Sequence, residues 1–458
     1  MKRDFTAPDD YFSQLPSELA DAVCKFLKLR DIASLRLVSG YCHDAATPYL
    51  VPTVHLLFND SDMRRLRAIS EHPVISQHVT GLYYEPDILI YYKCYSDWER
   101  YIEDDDYEGD MPFAPPPEQS TARDLRIYHR ERKKWEQRPR HHFKRTFLND
   151  AYEKHIKIAF EQRALRGLSY GASFLVEAMR RLPKLTSVRI CPANHIDNAS
   201  NRLKEAYGPT LVKQLRTNDG TTYAVLEAAW SLLVGANRGD RELDALQIQD
   251  VDWKFLLAPE KYWNRIKLSF RHLTSLDLIL NSYFFDVDKC REKIESGLLH
   301  ELLCSAPNLR ELMLKFEPMI DEYNAYLPHV FRNSTWTSLQ RLGIEFVATS
   351  AQGWLDFLTR HSSTMRCICI RTMELTTGTW LDILETMQKI LNLDLAYFLG
   401  ELIGFDLEEL WDLEPDTDQD GNQDQDPRSP ASIAISDYLI RGGICPLREL
   451  DKYFPSES

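Results

Sequence analysis

Residue types and spacing that could perform chemistry occur at few places in this 458-residue chain. Residues 167–171 read GLSYG and match the G-x-S-x-G pattern, in which a strained turn after a buried strand exposes a nucleophilic serine. The residues before this pattern, EQRALR, are charged and helical in character, whereas residues 172–182 favour a helix. The sequence therefore indicates that Ser169 belongs to a turn and helix N-cap, with a serine hydrolase as the alternative.

Two thiols form a second candidate. Cys367 and Cys369 alternate with Ile368 and Ile370, and alternate side chains of a strand share one face. A zinc site needs about four ligands, and in this region only His361 lies close enough in sequence to be a third. We therefore expect two neutral thiols and neither a metal nor another cofactor. Neither H-E-x-x-H nor a glycine-rich phosphate loop after a strand occurs in the sequence.

A basic segment at residues 123–145 interleaves Tyr128, Trp135 and Phe143 with arginine and lysine. Such a segment can contact phosphates and stack on bases. The formal net charge of the whole chain is -14, however, and an acidic protein is a poor electrostatic match for nucleic acid. The sequence favours a solvated helix face that balances the acidic loop before it, with nucleic-acid binding or a nuclear-localisation signal as alternatives.

The composition indicates an intracellular protein. The nine cysteines are scattered without a disulfide framework, which is typical of free thiols in a reducing compartment. The N-terminus lacks the apolar core of a signal peptide, and no run of about 18 apolar residues occurs. We therefore expect a chain without a membrane span that works in the cytoplasm, the nucleus or both.

A repeated apolar spacing of the form L-x-x-L-x-L predicts the elements that position these residues. In a strand, the last two apolar residues of such a unit point into the core, and the residues between and just after them point to the opposite face. The units are Val51/Val54/Leu56, Val79/Leu82/Tyr84, Leu185/Val188/Ile190, Leu243/Leu246/Ile248, Leu273/Leu276/Leu278, Leu309/Leu312/Leu314, Leu339/Leu342/Ile344, Met365/Ile368/Ile370 and Ile390/Leu393/Leu395.

Most of these units recur at intervals near the repeat length of a leucine-rich repeat, in which each unit contributes one strand and one helix. Residues 63–70, 353–361 and 380–389 have helical spacing with turn residues at their edges. The sequence therefore predicts an α/β fold whose residues 51–411 resemble an irregular leucine-rich-repeat solenoid, or horseshoe. An α/β fold with another strand order is the alternative.

Two intervals are longer than one unit. Residues 85–170 are predicted to be an insertion, with an acidic, proline-rich first part and the basic segment as its second part. The interval between Leu185 and Leu243 is long enough for two units, which predicts one further strand.

The end of the chain predicts a loop followed by a cap. Residues 412–430 are of low complexity and acidic, and such a segment cannot bury enough apolar surface to become ordered. Residues 431–458 are predicted to be a C-terminal cap and tail, since an apolar helix that stops at Gly442 would cover the last core face of a solenoid.

Near the start of the chain, residues 12–50 predict three short helices. Pro16 suits the first turn of a helix, because its missing N–H costs nothing there. Asp31 suits the N-cap of a second helix, and Ser39-Gly40 breaks the chain before a third. The apolar positions are Leu19, Val23, Phe26 and Leu27 in the first helix and Ile32, Leu35 and Val38 in the second. So small a unit cannot bury all of this surface by itself, which implies a partner.

These residues resemble the F-box in type and spacing. The matching positions are Leu15-Pro16, Glu18-Leu19, Phe26-Leu27, Asp31-Ile32 and the LRLVS run at residues 35–39. The resemblance implies a non-catalytic substrate-recognition subunit that docks on the Skp-type adaptor of a cullin-RING ubiquitin ligase. An F-box scaffold that acts outside a ligase and an unrelated amphipathic bundle are the alternatives. The rest of the chain is more diffusely similar to the F-box and leucine-rich-repeat proteins of filamentous fungi.

The resemblance and the strand pattern together indicate which residues make the two interactions. The expected adaptor-binding residues are Leu15, Pro16, Leu19, Val23, Phe26, Leu27, Ile32, Leu35 and Val38. A client protein is expected on the strand face opposite the core, because stacked parallel strands create one continuous concave surface. The expected client-binding residues are Arg189, Gln247, Gln249, Asp277, Met313, Lys315, Arg341, Glu345, Arg371 and Asp394.

Overall fold

Ten strands form a single sheet in a computed structural model of the chain. The structure describes residues 12, 14–103, 128, 130, 145–167, 170–193, 200–207, 219–281, 287–316, 325–405, 409–414 and 428–449. The strands are β1 (Thr53–Leu57), β2 (Gly81–Glu85), β3 (Ser187–Ile190), β4 (Ala245–Asp252), β5 (Ser275–Asn281), β6 (Glu311–Phe316), β7 (Arg341–Ser350), β8 (Cys367–Thr377), β9 (Leu395–Ile403) and β10 (Leu410–Asp412). Each strand pairs with the next in sequence, and all pairs are parallel except β9 with β10.

Helices precede, separate and follow these strands. They are α1 (Ser17–Phe26), α2 (Leu29–Leu35), α3 (Gly40–Ala46), α4 (Asp60–Glu71), α5 (Tyr95–Glu103), α6 (Arg145–Gly167), α7 (Tyr170–Arg181), α8 (Asn201–Tyr207), α9 (Asp219–Arg238), α10 (Glu260–Phe270), α11 (Val287–Ser296), α12 (Leu298–Cys304), α13 (Leu327–Phe331), α14 (Ala351–His361), α15 (Trp380–Ile390) and α16 (Pro430–Arg441). Short 3-10 helices occupy Thr47–Tyr49, Ile75–Gln77, Trp253–Leu257 and Pro446–Arg448. The predicted α/β class and the helices predicted around residues 63–70, 353–361 and 380–389 are therefore confirmed.

The repeated apolar spacing explains the sheet. In β4, Leu246 and Ile248 are at most 2% exposed, and the strand register aligns Leu246 with Val188 of β3 and Leu276 of β5. The helices α4, α7, α9, α10, α12, α14, α15 and α16 pack on this same face and complete the main core. Alternation along each strand thus separates a helix-covered face from a second face that carries the polar side chains.

The ninth predicted unit is wrong by three residues. Ile390 ends α15, and Leu395 pairs with Cys367 rather than with a core residue of β8. Helix α15 is capped by Thr379 and continues to Ile390. Buried residues of the helix, such as Met387, hold it against the core, so the strand cannot begin before the helix ends. The true unit is Leu393, Ala396 and Phe398, all of which are buried.

The further strand predicted between Leu185 and Leu243 is also wrong. β3 hydrogen bonds directly with β4, so the sheet has no place for a strand between them. The described part of this interval is helical, in α8 and α9. Helix α9 has apolar residues on more than one side and packs against both α7 and α10, which accounts for its length.

The inserted stretch contributes a second core. Its acidic part, residues 104–127, lies outside the described residues, but α5 and α6 are packed elements. Trp98 and Leu148 from these helices cluster with Leu57, the last residue of β1, with Leu89, which follows β2, and with Leu203 of α8. The insertion therefore covers the carboxyl ends of the first strands and is not loosely attached along its whole length.

The C-terminal segment closes the other end of the sheet. Asp412 lies in β10 and Leu413 is fully buried, so the predicted acidic loop begins later than residue 412, and its residues 415–427 lie outside the described part. Ser432 of α16 donates a hydrogen bond to the Phe398 carbonyl of β9. The helix ends at Gly442, which has a φ of 77° that suits glycine, as the sequence predicted.

Among the described helices, none combines the length and apolar character needed to cross a membrane.

Gln162 of α6 joins the inserted helices to the sheet. Its amide nitrogen lies 3.0 Å from the Phe58 carbonyl oxygen, 2.8 Å from that of Asp87 and 3.0 Å from the Tyr207 hydroxyl. Its amide oxygen accepts from the Leu89 N–H at 2.9 Å. The side chain is 1% exposed, so no water can replace these partners.

We expect Gln162→Leu to lower the free energy of unfolding by about 2 to 4 kcal/mol, because each buried polar group left without a partner costs about 1 to 3 kcal/mol. Lys157→Gln, on the exposed side of the same helix, should change it by less than about 0.5 kcal/mol. Urea denaturation measures both. Equal stabilities of the two variants would contradict the role of Gln162.

A second prediction concerns His155 in the same helix, where burial lowers the pKa of the imidazole to about 4. Its Nε2–H donates to the Ile90 carbonyl at 2.8 Å. The pKa of a histidine in the unfolded chain is about 6.5, so on acidification the unfolded state binds the proton first. The free energy of unfolding should therefore fall between about pH 6.5 and 4, by up to about 1.4 kcal/mol per pH unit from this group.

Urea denaturation at a series of pH values checks this dependence. His155→Phe removes the titrating group and should flatten the slope, although its stability at neutral pH will be lower. Lys157→Gln, on the exposed side of the same helix, leaves every histidine in place and should keep the slope of the unmodified protein. A slope unchanged in His155→Phe would contradict the assignment.

Candidate functional site

The hydrolase alternative lacks the strand that it needs. Ser169 itself lies outside the described residues, but α6 leads up to it and ends at Gly167. A nucleophile elbow requires a buried strand at that place. The helix predicted after the pattern is present and begins at Tyr170.

The two thiols of β8 are half-buried and share the polar side of the sheet. Burial raises the pKa of Cys369 to about 11 and also raises that of Cys367, so both are protonated thiols near neutral pH. His361 uses both ring nitrogens within the core, donating to the Phe357 carbonyl at 2.8 Å and accepting from the Trp336 N–H at 3.0 Å. Within the described ranges, no three histidine, cysteine or acidic side chains are grouped for a metal ion.

The basic segment at 123–145 lies outside the described residues except at Tyr128, Arg130 and Arg145, the first residue of α6. The Arg130 Nη1 atom is 3.8 Å from a carboxylate oxygen of Glu401 on β9. One of the cations considered for nucleic-acid binding therefore pairs with a carboxylate of the chain itself.

Helices α1 to α3 have a small core of their own, separate from the main one. Cys24, Ile32 and Ala46 are at most 1% exposed, and Leu27 and Leu35 pack against them. This core is too small to cover the remaining apolar side chains of the three helices.

Those remaining side chains lie on α1, at the start of α2 and in the turn between α2 and α3, and are together called the exposed apolar face. Its members are Leu19, Val23, Phe26, Leu29, Leu37 and Val38, which are 53%, 39%, 91%, 60%, 88% and 67% exposed. Isolated exposed apolar residues are common on proteins, but a group of this size on one small unit marks a site for association.

The predicted adaptor-binding residues separate into two sets in this geometry. Pro16, Leu19, Val23, Phe26 and Val38 are exposed. The other set consists of Ile32, which is buried, and Leu15, Leu27 and Leu35, which are half-buried. The predicted stripe of α1 faces solvent because the helix turns Ala20 and Cys24 inward instead.

Two details of the helices differ from the prediction. Helix α2 begins at Leu29 after Lys28, so Asp31 lies in its first turn and is not the N-cap. A carboxylate there still stabilises the positive end of the helix. The exposed residues Leu29 and Leu37 were missed, because neither falls on the apolar stripe from which the contact residues were chosen.

The second candidate is the side of β1 to β9 opposite the main core, here called the polar face. The second core covers it only at the carboxyl end of β1, where Leu57 is buried. Strand register aligns its side chains in rows across the sheet. The middle row is His55, Tyr83, Arg189, Gln247, Asp277, Met313, Gly343, Cys369 and Tyr397. A row nearer the carboxyl ends of the strands includes Lys315, Glu345 and Arg371.

Charged side chains of β6 to β8 pair with one another on this face. Glu345 lies 3.4 Å from both the Lys315 ammonium and the Arg371 guanidinium. Arg371 also reaches Glu414, just after β10, at 3.2 Å. The four residues form a ladder of alternating charge across three strands, so little net charge is left for a partner.

The β3 to β5 part of the middle row is held by a different set of contacts. The Gln247 amide donates to Asp277 at 2.6 Å, and burial raises the pKa of that carboxyl despite the bond. Arg189 lies over the ring of Tyr83, with its guanidinium carbon 4.8 Å from the ring centre. The next residue of the middle row, after Asp277 of β5, is Met313 of β6. It is uncharged and 41% exposed, so the polar character of the row ends there.

The polar face includes all but one of the predicted client-binding residues. Arg341 lies in the row nearer the amino ends of the strands and pairs with Glu311 at 3.3 Å. Asp394 is wrong: it precedes β9, as a result of the shifted ninth unit, and its N–H bonds to the Arg366 carbonyl. Tyr397 occupies the corresponding place in the middle row.

Comparison with known proteins adds no assignment: no protein-family model matches the chain, and a search of curated proteins returns no match.

The ladder generates a prediction about stability. Glu345→Gln keeps the shape of the side chain but leaves two cations beside a neutral amide, so we expect a loss of about 1 kcal/mol in the free energy of unfolding at low salt. Glu311→Gln removes a more exposed ion pair of the same face and should cost less than about 0.5 kcal/mol. Urea denaturation in about 0.05 M and about 1 M salt measures both variants, and the difference should shrink at high salt. A loss at Glu345 that is insensitive to salt would contradict this account.

Proposed function

We propose that the chain is the substrate-recognition subunit of a Skp-cullin-F-box ubiquitin ligase. In this proposal α1 to α3 are an F-box that docks on the Skp-type adaptor, and the polar face of the sheet binds the client protein. The observation that carries the proposal is the exposed apolar face, since it lies on the same three helices whose sequence matches the F-box motif.

The physical case for docking rests on the cost of the exposed surface. Burying apolar area stabilises a complex by about 25 cal/mol per Å², so large side chains held in water on a helical unit are a source of binding energy. Phe26 and Leu37 are the most exposed of them, and neither contributes to the small inner core. Their exposure therefore serves association and not the folding of the unit.

For the rest of the chain we propose an irregular leucine-rich-repeat solenoid. The supporting observations are parallel strands in chain order, the helices of the main core on one face and the repeated apolar spacing. Strands pack about 4.8 Å apart and helices about 8 to 10 Å apart, so such an array bends with its strands on the inside. The polar face is then the concave surface on which repeat proteins commonly bind partners.

The proposed role is binding without catalysis. The chain would hold adaptor and client at once, and ubiquitin transfer would be performed by other subunits of the ligase. An F-box scaffold that uses the adaptor outside a ligase makes the same contacts with α1 to α3, and co-purification of a cullin distinguishes the two.

The exposures define a sharp test of adaptor docking. We expect the double variant Phe26→Ala, Leu37→Ala to weaken binding to a Skp-type adaptor by at least about 30-fold, since central apolar anchors of an interface each contribute about 2 kcal/mol or more. Its melting temperature should be unchanged, because both side chains project into solvent.

The matched control is Leu257→Ala, Leu268→Ala, which removes two exposed leucines from the helix-covered side of the main unit. Surface plasmon resonance with purified adaptor measures affinity for all three proteins. Adaptor binding that survives in the Phe26 and Leu37 variant, or is lost equally in the control, would refute the F-box assignment.

A further inference from the structure

Three arginines surround His55 at the first edge of the polar face. Arg202 of α8 makes a bidentate ion pair with Asp62 of α4, with its Nε atom 3.1 Å from Oδ2. Arg65 of α4 donates to the His55 carbonyl and lies 3.7 Å from Asp62. Both side chains remain about one-third exposed, so one carboxylate anchors two cations without covering them.

Arg189 supplies the third cation and is already positioned for a ligand. Its guanidinium lies over the Tyr83 ring, whose edge is in turn packed against His55 with ring centres 4.7 Å apart. Its Nε atom is 3.2 Å from the Cys191 sulfur. Within the described part of the chain, no hydrogen-bond partner or ion pair engages its two terminal nitrogens.

The nearby carboxylates have other partners. Asp277, which is also attracted to Arg189, accepts from the Gln247 amide at 2.6 Å. Asp62 is buried and also accepts from the Leu57 N–H at 2.8 Å. Glu85 accepts from the Ser200 hydroxyl and backbone N–H, and it is 1% exposed. These acids balance part of the positive charge, and the arginine side chains are more exposed than those of Asp62 and Glu85.

The same three arginines act on the imidazole of His55. Burial lowers its pKa, and the positive charges of Arg202, Arg65 and Arg189 lower it further. The three arginines thus act together at His55, although the chain as a whole is acidic.

From this geometry we propose that Arg189 binds an oxyanion beside His55, with Arg65 and Arg202 supplying the surrounding positive charge. A planar guanidinium with two free terminal nitrogens fits a carboxylate or a tetrahedral oxyanion through paired N–H bonds. This inference rests on the proposed function: the oxyanion is carried by a side chain of the client protein. This anionic anchor would orient the client at the β1 to β3 end of the polar face.

Sulfate and acetate serve as probes for the full-length protein. Each is titrated at neutral pH and constant ionic strength while the imidazole signals of His55 are followed by NMR. We expect a saturable shift with at least one of them, and the tighter of the two identifies the client group as a tetrahedral ester or a carboxylate. In Arg189→Ala the half-saturating concentration should rise at least about tenfold, because charge-assisted bonds to the anion are lost.

Arg441→Ala is the matched control, since it removes an exposed arginine of α16 that already pairs with Asp437 at 3.6 Å and lies outside the polar face. It should bind the probe as the unmodified protein does. Failure of both probes to saturate, or equal affinity in Arg189→Ala and the unmodified protein, would overturn the proposal. Adaptor binding is measured on the same samples: intact adaptor binding with no anion binding refutes only the oxyanion site, whereas the reverse result refutes only the F-box assignment.

Discussion

Parallel pairing of each strand with its neighbour in sequence is the constraint on which both faces of the sheet depend. Equivalent residues of successive strands are held side by side, so one register fixes the core row and the polar row together. Gly343 shows how closely the polar row is packed: the Met313 side chain lies over it, and a Cβ there would be 2.0 Å from the sulfur. Changing a strand's register by one residue would exchange its buried and polar side chains.

The strands could be predicted from the sequence wherever only one unit of this spacing was possible and large apolar residues filled its three positions. The last parallel strand shows where this fails, because Ile390/Leu393/Leu395 and Leu393/Ala396/Phe398 have the same spacing. Ala396 is a weak apolar signal, and only the end of α15 decides between them. A pattern of three residues carries no information about where the preceding helix stops, and that boundary depends on tertiary packing.

The polar contacts could be predicted only in part. Once the register is known, the neighbours Lys315, Glu345 and Arg371 follow, because they are at equivalent places in adjacent strands. The contact between Arg202 and Asp62 joins residues 140 apart in sequence, and nothing local indicates it. On α1, the sequence identified the apolar stripe but not its direction, since the small residues Ala20 and Cys24 are buried in place of the larger ones.

The connection between the three-helix unit and the sheet bears on how the two candidate surfaces act together. Only Leu50 to Pro52 separate the last turn of that unit, Thr47–Tyr49, from β1. Val51 packs on the main core, and the Pro52 carbonyl accepts from the Thr80 and Gly81 N–H groups at 2.9 and 3.0 Å. A link of three residues that is packed on the core and hydrogen bonded to β2 behaves as part of the sheet and not as a flexible tether. In the proposed receptor, an adaptor held by the exposed apolar face would therefore keep a fixed direction relative to the polar face. The chain itself would then set the position of a bound client within the ligase.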